Sequence, residues 1–516
     1  MSFISHVLRF ARPTPLRRID EFLADPILVQ RKVLWSLLSR AQDTEWGRRF
    51  DFAGILTSEN IAAEYRARVP VHRYQDIQDS CGAMRAGVPD VMWPGKILNF
   101  AASSGTTSEG RIIPISDDTL KHNRSFSVGV GLNYLTRSGH SDFLFGKLLM
   151  LPGWIENDTV NPAARLGQIS GILAENAPVY MKKLQRAIPD KLATIPDWEE
   201  KMAAITDHVL DKNISMAAFA PSWGQVLFRM ALDRYNKKHE KKVRYISEIW
   251  PNLRLIITGG VALDSYRGIL GNLIGDTKVD LLETYGASEG FMSYQHDSDD
   301  RDMTLHLNCG VYHEYVKLDE LRTNNPRRYQ LDEVELDVRY APIISSTSGL
   351  WAYELGDVVK FTQLNPYKIR VTGRTVEMLD KYGEAVFGEE AHDALRQACA
   401  ITDASVLAYH VTHTPDDSDR IPAHQWLIEF DRDPADLAEF SNTLDAKLRE
   451  AGHHYDDRRE GMAFGPPEVI ALPEGTFHKW IASSGKRVTA QTKIPRMNEH
   501  RVVADAVLGL PGRRIK

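Results

Sequence analysis

Three stretches of this chain combine small, hydroxylated and charged residues in patterns that suit a nucleotide. The first is Ser103–Ser104–Gly105–Thr106–Thr107–Ser108–Glu109–Gly110–Arg111. Its glycines let backbone N–H groups approach a polyphosphate, and its hydroxyls can donate to phosphate oxygens. Arg111 ends the run with a planar cation whose fork matches phosphate. No Gly-Lys-Ser/Thr closes the stretch, so it is not a Walker A loop. The second is Thr284–Tyr285–Gly286–Ala287–Ser288–Glu289–Gly290, where Tyr285 can pack on a purine and Glu289 can hold Mg2+ beside phosphates. The third, Gly349 to Val358, carries Asp357 after Gly356. A carboxylate there can accept from both ribose hydroxyls, each charge-assisted bond contributing about 1.5–3 kcal/mol. Taken singly, each stretch also has a plain reading: a surface loop, a strand–turn–helix junction capped by Ser288, and a turn aspartate.

The elements around them must hold these groups at strand ends. Leu253–Thr258 (LRLIIT) is expected as a buried strand running into Gly259–Gly260, and Val279–Leu282 as a second, with helical character between them over Ser265–Ile274. That alternation is the pattern of an α/β layer, whose strand-end loops carry ligands. One amphipathic helix is expected over Pro26–Trp46 and another over Met1–Arg18. Tyr367–Val371 reads as a strand and is followed by the charged segment Glu377–Glu390. A domain boundary is therefore placed near Gly373–Arg374, giving a large multi-layer α/β domain over 1–373. The remainder, 374–516, mixes a strand at Gln425–Phe430 with a helix at Ala435–Ala451 and reads as a small α+β domain.

With 516 residues, 43% hydrophobic and 26% charged, the chain is an ordinary globular protein too long for one core. A net charge of −6 offers no basic field for nucleic acid. Cys81, Cys309 and Cys399 lie far apart with no CxxC pair, which fits a reducing cytoplasm. No apolar run approaches the roughly 18 residues of a membrane span, and Phe143–Ile155 reads as a core segment, so no membrane partner is expected. His453–His454 with Asp456–Asp457 is the densest histidine cluster, and reads as a solvated helix end. Val130, Phe219 and Trp223 are candidates for an acyl pocket, on predicted helices where core packing explains them equally well.

In their order the motifs resemble the adenylate-forming superfamily of acyl-CoA synthetases, peptide synthetase adenylation domains and luciferases. The matching elements are Ser104–Arg111, Gly259–Leu263, Tyr285–Glu289, Gly356–Asp357, Gly373–Arg374 and Lys493. Within it, Val69–Pro70–Val71, Tyr74–Gln75–Asp76, Gly349–Val358, Pro473–Phe477 and Gln491–Arg496 resemble the Gretchen Hagen family of acyl-acid amido synthetases. The chain departs from these patterns at Arg111, where the superfamily has lysine, and at Ala352 and Glu354, where the plant enzymes have arginines.

The resemblance implies the adenylate-forming fold, with a mobile small domain hinged near 373–377. It implies ATP and Mg2+, a small carboxylic acid, and an amine or amino acid acceptor, with an amide, AMP and pyrophosphate as products. The residues it assigns to ATP are Ser103, Ser104, Gly105, Thr106, Thr107 and Arg111 at the phosphates, Asp357 at the ribose, and Arg374 at the hinge. Tyr285 and the Gly259–Gly260 turn would surround the base, with Val261, Thr284, Gly286, Ala287 and Ser288 also lining the nucleotide. Glu289 would hold Mg2+, and Lys493 would meet the carboxylate and α-phosphate when the small domain closes. The activation motifs alone fit equally an acid:thiol ligase loading coenzyme A or a carrier protein. A non-catalytic nucleotide binder would be expected to lack Glu289, Asp357 or Lys493, and all three are present. Oligomeric state leaves no mark in these patterns.

Overall fold

The computed structural model describes residues 3–103, 111–179, 181–195, 197–275, 278–321, 323, 325–375, 377–384, 386–415, 420–483 and 494–510. Two compact units emerge: one runs to Leu355 and takes in Lys360–Arg370, and the other holds Gly356–Val359 with most of the chain after Arg370.

At the centre of the larger unit is a mixed sheet with eleven strands among the described residues. Four neighbours in it run parallel: Lys147–Met150, Ile214–Phe219, Leu255–Gly259 and Asp280–Ala287. Parallel strands need crossover helices and are covered on both faces, so they are nearly continuous apolar runs. Ile214–Phe219 (ISMAAF) and Leu255–Gly259 (LIITG) have that composition, and Pro221–His239 and Arg267–Ile274 supply crossovers. Beyond Ala287 the sheet turns antiparallel, with Gly290–Tyr294 returning beside Asp280–Ala287 and Met303–Leu305 beside that. A smaller four-stranded sheet pairs Asn99–Ser103 antiparallel with Arg111–Ile115 and parallel with Arg165–Gly167.

The amino-terminal helices differ from expectation for local reasons. Phe3–Ala11 and Thr14–Ala24 replace one helix over Met1–Arg18, because Pro13 has no N–H to continue the first and instead stands at the N-cap of the second. The helix expected over Pro26–Trp46 ends at Ala41. Thr44 then accepts from the Gly47 N–H at 3.0 Å and starts the separate helix Glu45–Arg49. No helix among the described residues is long and apolar enough to cross a membrane.

The smaller unit is built on Ser405–His413, His424–Arg432 and Glu468–Leu472, in that order in one sheet. Side chains alternate along a strand, so neighbours serve opposite layers. Trp426, Ile428 and Phe430 pack with the helices Gly388–Ile401 and Leu437–Ala451, while Leu427 packs with Phe477, Trp480 and Val503 on the other side. Trp426 is 0% exposed, and Trp426→Ala should destabilise this unit by about 3–5 kcal/mol through lost burial and the cavity left behind. Urea unfolding checks this, and a loss below about 1 kcal/mol would contradict the packing described.

Candidate active site

The antiparallel hairpin of the small sheet brings Ser103 opposite Arg111, so both ends of residues 104–110 are pinned by one backbone pair. Ser104, Gly105, Thr106 and Thr107 lie outside the described residues, as does Lys493. Arg111 opens the returning strand and donates to the Tyr353 hydroxyl at 3.3 Å. The next N–H, that of Ile112, donates to the Tyr74 hydroxyl at 2.9 Å, fixing the strand beside the helix Tyr74–Arg85. Burial pushes the Tyr353 phenol well up, the charge of Glu289 adds to that, and Arg111 opposes it. The hydroxyl therefore keeps its proton. Arg111, Tyr353 and Glu289 thus form one electrostatic cluster beside the hairpin mouth.

Tyr353 is held there by a tightly gripped segment. Gly349 has φ +84, and a side-chain carbon in its place would lie 2.9 Å from Met92 Cβ. The Trp351 indole N–H donates to the Met92 carbonyl at 3.1 Å. Ala352 adopts φ +44, a left-handed conformation costly for a residue with a side chain. Two hydrogen bonds stabilise it: its N–H donates to Ser345 Oγ at 3.0 Å, and its carbonyl accepts the His72 N–H at 2.9 Å. The His72 ring lies 2.8 Å from the Trp351 carbonyl, which can only accept, so Nδ1 carries the proton. On the far side, Ser116 caps the helix Asp117–Ser138 and donates to the Thr347 carbonyl at 2.6 Å.

The proposed base-binding turn rests on close strand packing. Gly259 pairs with Thr284, and a side-chain carbon at Gly259 would lie 2.9 Å from Thr284 Oγ1. That hydroxyl donates to the Thr258 carbonyl at 2.9 Å. Gly260 follows with φ +81, and beyond Val261 the Leu263 N–H donates to Glu283 Oε1 at 3.1 Å. The strand expected to end near Leu282 continues through Tyr285 and Gly286 to Ala287, which pairs with Gly290. Ser288 and Glu289 are therefore the turn between two strands, and Ser288 caps no helix. Glycines permit this tight return: a side-chain carbon at Gly286 would lie 2.6 Å from the Phe291 ring, and one at Gly290 2.9 Å from Val311. Glu289 is buried in the turn, and a single carboxylate of this kind fits the oxygen set that Mg2+ takes beside phosphates and water.

Asp357 and Arg374 both belong to the smaller unit, and Arg374 Nε donates to Asp357 Oδ1 at 3.1 Å. Gly356, with φ +83, turns the chain into Asp357, and its carbonyl accepts the Thr375 N–H at 2.9 Å. Ion pairs this exposed contribute about 0–1 kcal/mol, so the pair orients two side chains more than it stabilises the unit. Of the acyl-pocket candidates, Val130 is buried within the helix Asp117–Ser138. Phe219 ends a strand and packs edge-on against Phe228, and Trp223 packs edge-on against Trp198. Trp223 is half-buried, and aromatic packing of this kind suits a core and an apolar pocket wall alike.

Sequence reasoning passed over Tyr353 and Glu283. Burial pushes the Glu283 carboxyl up to about 7, partly offset by the Leu263 N–H. A carboxyl raised in the fold contributes stability that is full below its unfolded value near 4.5 and is lost as pH rises through about 7. Glu283→Gln keeps an oxygen for Leu263 and removes the charge. It should raise the melting temperature at pH 8 and flatten its pH dependence between about 4.5 and 7; unchanged dependence would contradict the burial described.

Models of the GH3 family N-terminal, central and C-terminal domains match residues 15–160, 304–374 and 389–502. Indole-3-acetic acid-amido synthetase GH3.3 of Arabidopsis thaliana is 22% identical, over 93% of this chain and 91% of that one. Jasmonoyl–L-amino acid synthetase GH3.5 of Oryza sativa subsp. japonica is 23% identical, over 93% and 94%. Among solved structures, GH3.15 acyl acid amido synthetase superposes with a TM-score of 0.75 at 18% identity, covering 95% of each chain. At that identity the superposition establishes the shared fold.

Proposed function

The chain belongs to the GH3 family, the Gretchen Hagen acyl-acid amido synthetases, and on that premise we propose how its residues carry out acid activation and amide formation. The observation that carries the reading is the convergence of Arg111, Tyr353 and Glu289 at the strand pair in which Ser103 stands opposite Arg111.

A carboxylic acid with a pKa of roughly 4–5 is ionised at neutral pH, so activation requires no general base. Its oxygen bonds to the α-phosphorus of ATP as the bond to pyrophosphate breaks. Charge then grows on phosphoryl oxygens, and catalysis is chiefly positioning and electrostatic stabilisation. The hydroxyls and N–H groups of Ser103 to Thr107 are assigned to the phosphates, with Arg111 as the adjacent cation. Tyr353 accepts from Arg111 and orients it. Glu289 is the carboxylate that would hold Mg2+, which supplies positive charge to the phosphates when bound. Asp357 is assigned to the ribose hydroxyls, with Arg374 holding its carboxylate. Tyr285 and the Gly259–Val261 turn are assigned to the base. Lys493 is assigned to the carboxylate and α-phosphate on the likeness of Gln491–Arg496, and the hinge to residues 373–377, at the boundary near Gly373–Arg374.

In the second step the neutral nitrogen of an amine or amino acid bonds to the acyl carbon. The carbon–oxygen bond to AMP breaks, AMP leaves, and the nitrogen gives up its extra proton. The free thiols Cys81, Cys309 and Cys399 support a reducing, cytoplasmic setting.

Pyrophosphate release from ATP, measured with pooled carboxylic acids and with or without pooled amino acids, tests this reading. Release should require an acid and accelerate with amines. Glu289→Gln and Lys493→Ala should each lower it by about 10²–10³-fold, the usual cost of one well-placed group on developing charge. Acceleration by coenzyme A in place of amines would favour thioester formation, and acid-independent release would overturn the assignment.

A further inference from the structure

The smaller unit encloses a second cluster of chemistry-bearing groups, formed by residues with no part in the steps above. His413 and His424 face each other across the hairpin of Ser405–His413 and His424–Arg432, as one register pair. Residues directly opposite in antiparallel strands send their side chains to the same face. Glu384 enters from the short segment ahead of the helix Gly388–Ile401. The three side chains are 0–1% exposed. His424 Nε2 lies 3.3 Å from Glu384 Oε1, and His413 Nε2 meets the same oxygen. One ligand-capable atom from each residue falls within 4.8 Å of the other two.

The surroundings are aromatic. Tyr382 and Phe464 stand against the His413 ring, and Phe464 and Tyr455 against the His424 ring. Neither imidazole Nδ1 has a hydrogen-bond partner among the described residues, so each ring's polar engagement is with the cluster. Glu384 Oε2 accepts the Tyr382 N–H at 2.9 Å.

A buried carboxylate needs compensating charge. Among the described residues the ion-pair partners of Glu384 are these two imidazoles. The carboxylate and the two imidazoles are walled in together by aromatic rings. A divalent cation would balance the carboxylate's charge and engage all three groups. Two nitrogens and one oxygen are a poor set for Mg2+ or Ca2+, which take oxygens, and a good set for zinc.

We propose that Glu384, His413 and His424 bind one zinc-class divalent ion per chain, tying the segment at Glu384 to the end of the central hairpin. Three protein ligands leave one position of a tetrahedral ion for water, and the ion anchors the chain ahead of the helix Gly388–Ile401 to the sheet on which that helix packs.

The test uses the full chain, stripped with a chelator and titrated with Zn2+ against a competing chromophoric chelator. One equivalent should bind, with a rise in melting temperature that Mg2+ does not reproduce. Glu384→Gln, nearly isosteric, should lower zinc affinity at least about tenfold, and His424→Ala at least as much. The double variant His453→Ala/His454→Ala, at an exposed pair in the same unit, should bind zinc like the unaltered chain. Circular dichroism confirms that each chain compared is folded. Failure of the folded, unaltered chain to take up zinc would overturn the proposal. So would a folded Glu384→Gln chain that binds it with unchanged affinity.

Discussion

The backbone pair between Ser103 and Arg111 is the constraint on which the rest of the site depends. It joins the ends of residues 104–110 and delivers a guanidinium to the hairpin mouth. A cation at that point is useful only if its direction is set, and the Tyr353 hydroxyl sets it. Tyr353 in turn is placed by a segment that would not keep its shape unaided. Ala352 is in the left-handed region and Gly349 is pressed against Met92, so the conformation persists because Ser345, His72 and Met92 hold successive backbone and side-chain groups. Strain of this kind, over-determined by its surroundings, is what a preorganised site requires.

The parallel strands make the second contribution. Gly259 and Thr284 come so close that only glycine fits at the first position, and this closeness lets the Thr284 hydroxyl reach the neighbouring strand's carbonyl. The two-residue turn at Ser288–Glu289 then buries a carboxylate within electrostatic reach of Tyr353. Cation, phenol and carboxylate come from three distant parts of the chain. Their common position is a property of sheet register rather than of any local motif.

That origin explains what could be read from the sequence. Leu255–Gly259 was legible because a strand covered on both faces is an unbroken apolar run, and the glycines after it marked its end. The Ser/Thr/Gly run, Tyr285–Glu289 and Gly356–Asp357 were legible because their residue types suit a nucleotide and stand in the order of a known family. Tyr353 was not, since its partner Arg111 is 242 positions away and nothing in either neighbourhood encodes the contact. Small polar residues begin helices and tight strand turns alike, so the plain alternative of a helix cap at Ser288 stayed open in the sequence, and the returning strand Gly290–Tyr294 decides for the turn. Glu384, His413 and His424 carry no ligand spacing, and the hairpin register alone brings the two histidines together.

The central claim, that an acid is activated by direct attack of its carboxylate on the α-phosphorus, is tested most directly by isotope transfer. A turned-over carboxylic acid labelled with oxygen-18 in both carboxyl oxygens should leave one labelled oxygen in the AMP formed, with none in pyrophosphate. Label in inorganic phosphate, with ADP as the nucleotide product, would mean that the γ-phosphate is attacked instead. That result would contradict an acyl-adenylate and the account built on it.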